Sequence, residues 1–227
     1  MAEEYYSPDD IRKASIAEMN LIEMLKSITR TVEDTFIEVN DIVLSFLGGK
    51  LETVKTRYVK ARHMKNQTEE LKDKAMEYLV RVSTSLLYKD VYRIVLTDLD
   101  RIAQNLDAVA YRLYLLADRG YTLKGTIVDR VKEFMNSIKK EISGLGSSIE
   151  MLAINPKKAI DYASEIIRME EEVDQEYREL ELKVFEDYAD NIPLLLVLKE
   201  VVDLLEETSD LARDAADNIK YIALHKV

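Results

Sequence analysis

The chain has 227 residues, 47% of them apolar, with only 6 Gly and 3 Pro, a composition that fits a folded helical protein with one sizeable core or two small ones and not a disordered one. Its 43 acids against 32 bases give a net charge of −11, which argues against nucleic acid or an anionic membrane as a partner and favours cations or basic proteins. There is no Cys and there are two His, His63 and His225, so disulfides, thiolate zinc sites and cysteine nucleophiles are excluded and any metal must be held mainly by oxygen.

Helix breakers divide the chain into six segments. Ser7-Pro8-Asp9-Asp10 is a start signal, with a capping hydroxyl, Pro in the first turn and acids at the positive end of the helix dipole. The first helix is expected to run to Gly48-Gly49. A second begins near Lys50 and carries Val54, Tyr58, Ala61, Met64, Leu71, Ala75, Leu79 and Val82 at helical spacing before faltering at Ser83-Thr84-Ser85. The third spans about Leu87 to Arg119 and stops at Gly120. Thr122 is the expected cap of a fourth that reaches Ile154, with Gly144 and Gly146 expected to bend or weaken it. Asn155-Pro156 opens the fifth and Asn191-Ile192-Pro193 the sixth, which runs nearly to His225. No apolar run is long enough to span a bilayer, and Met1-Ala-Glu-Glu-Tyr-Tyr6 lacks a basic region followed by an apolar one, so the expected location is the cytoplasm.

Long helices with short connections favour antiparallel neighbours. The first three helices match the last three in length, and the Gln67 to Asp100 spacing nearly equals that from Asp174 to Glu206, so a three-helix unit is read as used twice. The expected fold is all-α, two tandem antiparallel three-helix bundles, with residues 1–120 as the first and 121–227 as the second.

Two acid pairs stand out in the second unit. Glu170 and Asp174 on the fifth helix, and Glu206 and Asp210 on the sixth, are each separated by three residues, which stacks both carboxylates on one helix face. At about 100° per residue, Glu170 falls inside the apolar stripe of Ala163, Ile166, Val173, Tyr177, Leu180 and Tyr188. A lone buried carboxylate is costly, so Glu170 requires a partner or an opening between helices. Glu171, Glu172 and Glu176 are read as a solvated face. On the sixth helix, Asp203, Glu207, Asp210, Asp214 and Asp217 lie opposite the core stripe, which helical geometry alone reads as a solvent face; with only Arg213 and Lys220 near them the row is more single-signed than a salt-bridged surface helix, and a surface metal cluster or a basic partner would account for it.

The strings Met169-Glu-Glu-Glu-Val-Asp174 and Leu205-Glu-Glu-Thr-Ser-Asp210-Leu-Ala-Arg-Asp-Ala-Ala-Asp-Asn-Ile219 resemble the repeated acidic signatures of PhoU-like phosphate-uptake regulators, in particular the branch associated with Pit-type phosphate transporters. The resemblance implies two three-helix bundles, a regulatory and non-catalytic protein, and a divalent or trivalent metal ion, iron or zinc, held on the bundle surface by Glu170, Asp174, Glu206 and Asp210. It also implies docking on a phosphate transporter or its sensor, with the chain cytoplasmic and reaching the membrane only through that transporter, and leaves a homo-oligomer open. The matching first-half positions are His63, Gln67, Asp100 and Gln104. Gln offers only a neutral carbonyl oxygen, so at most one competent site is expected.

Other readings fit less well. A ferritin-like diiron centre needs Glu-x-x-His pairs, and neither His follows a Glu by three. Gly144-Leu-Gly146-Ser-Ser lacks the Lys and the preceding strand of a phosphate loop. The lack of a nucleophile and of imidazole argues against a carboxylate-bridged hydrolase or oxidase. The remaining alternative is a metal-free helical scaffold or adaptor whose acids bind a basic protein.

Overall fold

A computed structural model describes residues 8–123, 125 and 127–227. Six α-helices follow in order: α1 (Pro8–Leu47), α2 (Leu51–Arg81), α3 (Lys89–Asp118), α4 (Ile127–Ile154), α5 (Pro156–Tyr188) and α6 (Ile192–Leu224), with a 3-10 turn at Ser83–Ser85. The described residues contain no strand. The architecture is all-α, two antiparallel three-helix bundles in tandem.

Local chemistry explains the boundaries. Pro8 is the first residue of α1, while the side chains of Ser7, Asp9 and Asp10 lie outside the described residues. The chain leaves α1 through Gly49 at φ 69°, a left-handed conformation that glycine adopts without a Cβ clash. Asn155 and Asn191 cap α5 and α6: their side-chain oxygens accept from the Lys158 N–H at 3.2 Å and the Leu194 N–H at 3.3 Å, each followed by Pro in the first turn. One sequence expectation fails here: Thr122 does not cap α4, which begins at Ile127. The helix is continuous through Gly144 and Gly146, and both glycines allow close approach, since a Cβ at Gly144 would press on Ile166 of α5 and one at Gly146 would meet the Glu33 carboxylate of α1.

Within the first bundle α1, α2 and α3 pack on one another, as α4, α5 and α6 do in the second; α1 meets α4 and α3 meets α6 across the middle. The antiparallel sense shows where two pairs join the same neighbours: Glu38 with Arg57 and Asn20 with Tyr78 between α1 and α2, and Arg101 with Glu207 and Arg112 with Glu200 between α3 and α6. Burying these apolar stripes against one another holds the bundles together, because an isolated helix gains little from propensity alone. The core is continuous through both bundles and includes Phe36 and Phe46 of α1, Leu99 and Ile102 of α3, Phe134 and Ile138 of α4, and Ile219 and Ile222 of α6. Among the described residues no helix is long and apolar enough to cross a membrane.

Candidate functional site

The hairpin of α5 and α6 brings the predicted acids together. Glu170 faces α6, as its place in the apolar stripe requires, and it has the partner that stripe demanded: Arg213 donates from Nη1 to Glu170 Oε1 at 2.6 Å. The same Nη1 lies 3.1 Å from Asp210 Oδ1. The rest of the guanidinium reaches Asp214, with Nη2 at 2.9 Å and Nε at 3.2 Å from Oδ1. One side chain thus serves three carboxylates on two helices. Against the burial that would lower it, the bonds and charges of Asp214, Asp210 and Glu170 hold the Arg213 pKa above its ordinary value.

The other two predicted acids are less well covered. Asp174 pairs with Arg178 one turn along its own helix at 2.8 Å. Glu206 makes no hydrogen bond or ion pair among the described residues; burial, then the charges of Asp210 and Asp174, push its pKa up. Asp210 is raised as well, by burial and by Glu170, Asp214 and Asp174 against the opposing pull of Arg213. These shifts have one cause: several half-buried carboxylates share too little positive charge.

A residue that sequence reasoning missed forms the inner wall. Glu141 of α4 is 0% exposed and accepts from Ser209 Oγ at 2.6 Å through Oε2, while its Oε1 is buried without a partner among the described residues. Burial pushes its pKa up to about 8, the Ser209 bond opposing and the charges of Glu170, Asp210 and Glu176 reinforcing the shift. The signal was present, because Glu141 stands three residues after Ile138 and four before Leu145, inside the core stripe. Glu176, read as solvated, is also turned inward and accepts from Ser137 Oγ of α4 at 3.1 Å.

The row on α6 is not bare either. Asp203 accepts from Lys199 and from Tyr177 Oη, and Glu207 pairs with Arg101 of α3 at 2.8 Å. Of these two cations Arg101 comes from α3 and is invisible along α6, whereas Lys199 stands on α6 one turn before Asp203 and was readable there. The first-bundle counterparts stand differently. His63, Gln67 and Gln104 are exposed, and Asp100 is buried with Gln104 donating to it at 2.9 Å and Lys72 3.5 Å away.

Among the described residues no group of three or more His, Cys, Asp or Glu side chains is arranged to hold a metal ion. The donor types at Glu170, Asp174, Glu206 and Asp210 fit a hard or borderline cation, and the charges of Glu170 and Asp210 act on the buried Glu141. As the side chains stand, the cation between Glu170 and Asp210 is Arg213.

No protein-family model and no curated protein sequence matches the chain. Solved structures do. PhoU from Pseudomonas aeruginosa is 18% identical, with 93% of this chain and 99% of that one aligned at a TM-score of 0.76. PhoU from Streptococcus pneumoniae, a phosphate transport system regulatory protein, is 14% identical over 91% of this chain and 96% of its own, with a TM-score of 0.70. A putative PhoU-like phosphate regulatory protein from Shewanella oneidensis MR-1 is 14% identical over 91% and 100%, with a TM-score of 0.66. The chain therefore has the PhoU fold along nearly its whole length.

Proposed function

We propose that this protein is a cytoplasmic regulator of phosphate transport that acts by docking, without catalysis, on a transporter of the Pit type or on that transporter's sensor. The observation that carries the reading is end-to-end similarity of fold to two PhoU structures, one of them described as a phosphate transport system regulatory protein. In this reading residues 1–120 and 121–227 are two copies of one unit, assembly into a homo-oligomer is compatible with docking, and contact with the membrane runs through the transporter. Deleting the gene in its own host and measuring uptake of radiolabelled phosphate tests it. Altered uptake, restored by the chain, is expected; unchanged uptake in both phosphate-rich and phosphate-starved cells would sink the proposal.

The same reading gives Glu170, Asp174, Glu206 and Asp210 the role of holding a divalent or trivalent metal ion, iron or zinc, which would supply positive charge that cross-links α5 and α6 and stiffens the docking surface. The under-neutralised state of Glu206 and Asp210 supports it. Protein purified without chelator is expected to contain metal and to melt at a higher temperature when manganese or zinc is added, both effects falling in Glu170→Gln and Asp210→Asn. A second reading, a metal-free adaptor for a basic protein, draws on the Arg213 guanidinium between Glu170 and Asp210: an arginine already satisfies this pair. Metal content separates the two.

A further inference from the structure

Single exposed apolar side chains are ordinary on a helical surface, but several of them meet at one end of α6. Ile192 and Leu196 are 56% and 58% exposed and lie one turn apart on the same face. The pairing of Arg112 on α3 with Glu200 on α6 fixes their neighbours on one side. Those helices run antiparallel, so Leu115, one turn past Arg112, comes level with Leu196, one turn before Glu200. On the other side Lys199 meets Glu181 of α5 at 3.1 Å, which brings Phe185, one turn past Glu181, level with Leu196 in the same way. Leu115 and Phe185 are exposed too, and Tyr111 extends the patch one turn along α3. Beyond the patch the same face of α6 changes character, continuing at helical spacing through Asp203, Glu207, Asp210, Asp214 and Asp217. From Glu200 to Asp217 the helix carries seven acids and one base, Arg213, and the cations that reach them from elsewhere, Lys199, Arg101 and Arg112, leave acids in excess.

We propose that this face, an apolar end flanked by α3 and α5 and an acidic row along α6, docks a basic segment of a partner protein that carries large apolar side chains at one end and Lys or Arg along the rest. The proposal rests on the docking reading above and names the surface and the chemistry of the partner. The apolar end supplies the anchor, because large side chains desolvated together carry most of the affinity of a contact. The row fixes direction, since the partner's bases lie over acids only when its apolar end rests beside Leu196. Charge also selects among occupants. An anionic membrane surface would meet the row with like charge, and a second copy of the chain, at net −11, would bring the same row with it. A basic segment instead relieves the crowding of carboxylates that raises the Glu206 and Asp210 pKa values.

Fluorescence anisotropy of labelled peptides on the full chain tests the proposal. The probe is a helical peptide of about 25 residues, long enough to span Ile192 to Asp217 at about 1.5 Å per residue, with leucines in the two turns at one end and lysines along one face of the rest. A second peptide of the same composition interleaves the leucines and lysines. The segregated peptide is expected to bind about tenfold more tightly than the interleaved one. Leu196→Ser combined with Phe185→Ser is expected to remove that advantage, whereas Val80→Ser, at an exposed apolar position at the opposite end of the first bundle, keeps it. Asp214→Asn combined with Asp217→Asn is expected to weaken both peptides and to flatten their salt dependence. Equal binding of the two peptides, or an advantage that survives in the Leu196→Ser, Phe185→Ser variant, overturns the surface. Self-association of the wild type, or its binding to phosphatidylcholine vesicles, abolished in that variant overturns it in favour of a second copy or a membrane. In cells, the variant is expected to fail to restore the phosphate uptake that the wild type restores. Restoration by both overturns the surface and leaves the regulator; uptake indifferent to the wild type sinks the regulator, and the peptides still decide the surface.

Discussion

The two bundles handle acids at their helix seams in opposite ways. In the first, Glu38 of α1 is buried against Arg57 at 2.8 Å and Lys60 at 2.5 Å of α2, Asp100 lies near Lys72, and burial raises the Asp107 pKa against the partly offsetting pull of Arg62 and Lys65. In the second, Glu170 and Asp210 share Arg213, Glu141 has only the Ser209 hydroxyl and the Glu206 pKa is pushed up by burial and neighbouring acids, with α5 adding acids where α2 adds bases. The comparison shows that the number of carboxylates does not by itself mark a site. What marks it is the counter-charge the chain withholds, because an acid met by an internal lysine leaves nothing for an external cation to neutralise.

The largest test of that difference is Glu141. Its folded-state pKa is raised to about 8, so the stability it contributes is fully present below the unfolded carboxylate range and is lost as pH rises through about 8, by about 5 kcal/mol in total. Glu141→Gln keeps an acceptor for Ser209 and cannot ionise. Urea unfolding at about pH 6 and about pH 9 is expected to show a steep decline in the wild type and a shallow one in the variant. Parallel declines would mean that Glu141 is not held neutral, and the contrast between the bundles would weaken.

A second acid sharpens the comparison at the seam between them. Asp98 of α3 is 7% exposed with Oδ2 unpartnered among the described residues; burial, then the charge of Asp214 on α6, push its pKa up to about 6 against the pull of Arg101. Here too the folded pKa lies above the unfolded one, so its stabilising contribution exists below the ordinary Asp range and disappears as pH rises through about 6. Asp98→Asn is therefore expected to raise stability at neutral pH by about 2 kcal/mol and to leave it nearly unchanged near pH 4. Chemical denaturation at both values checks it. A destabilised variant at neutral pH would show that the Asp98 charge is compensated, and that the shortage of positive charge does not reach across to α3.

Much of this was readable in advance, and the reason is periodicity. Core stripes such as Ala163, Ile166, Val173 and Leu180, and the caps Asn155 and Asn191, follow from spacing and local hydrogen bonding within one helix. Glu170 was legible in the same way, as an acid out of place. Pairings between helices were not: Arg101 reaches Glu207 from more than a hundred positions away in the chain, and nothing local to α6 announces it. Glu141 and Asp98 fell between these cases, since each sits on a core stripe but on a helix so rich in charge that one further acid drew no notice. Arg213 was visible beside Asp210, yet that it bridges to α5 depends on how the hairpin closes.

The smallest expected effect tests the first bundle directly. Lys72→Met removes the cation near Asp100, whose Oδ1 is already unpartnered, while Gln104 still donates to Oδ2. The loss at neutral pH should be about 1–2 kcal/mol, since one hydrogen bond remains and the ion pair is long. Manganese should not restore it, because the neighbours at the matching positions are exposed His63, Gln67 and Gln104 and supply no second carboxylate. A melting temperature that recovers with manganese would break the comparison at its base. It would mean that the first bundle lacks a site only because Lys72 fills it, as Arg213 fills the second, and that both copies hold a cation of their own in place of one from outside.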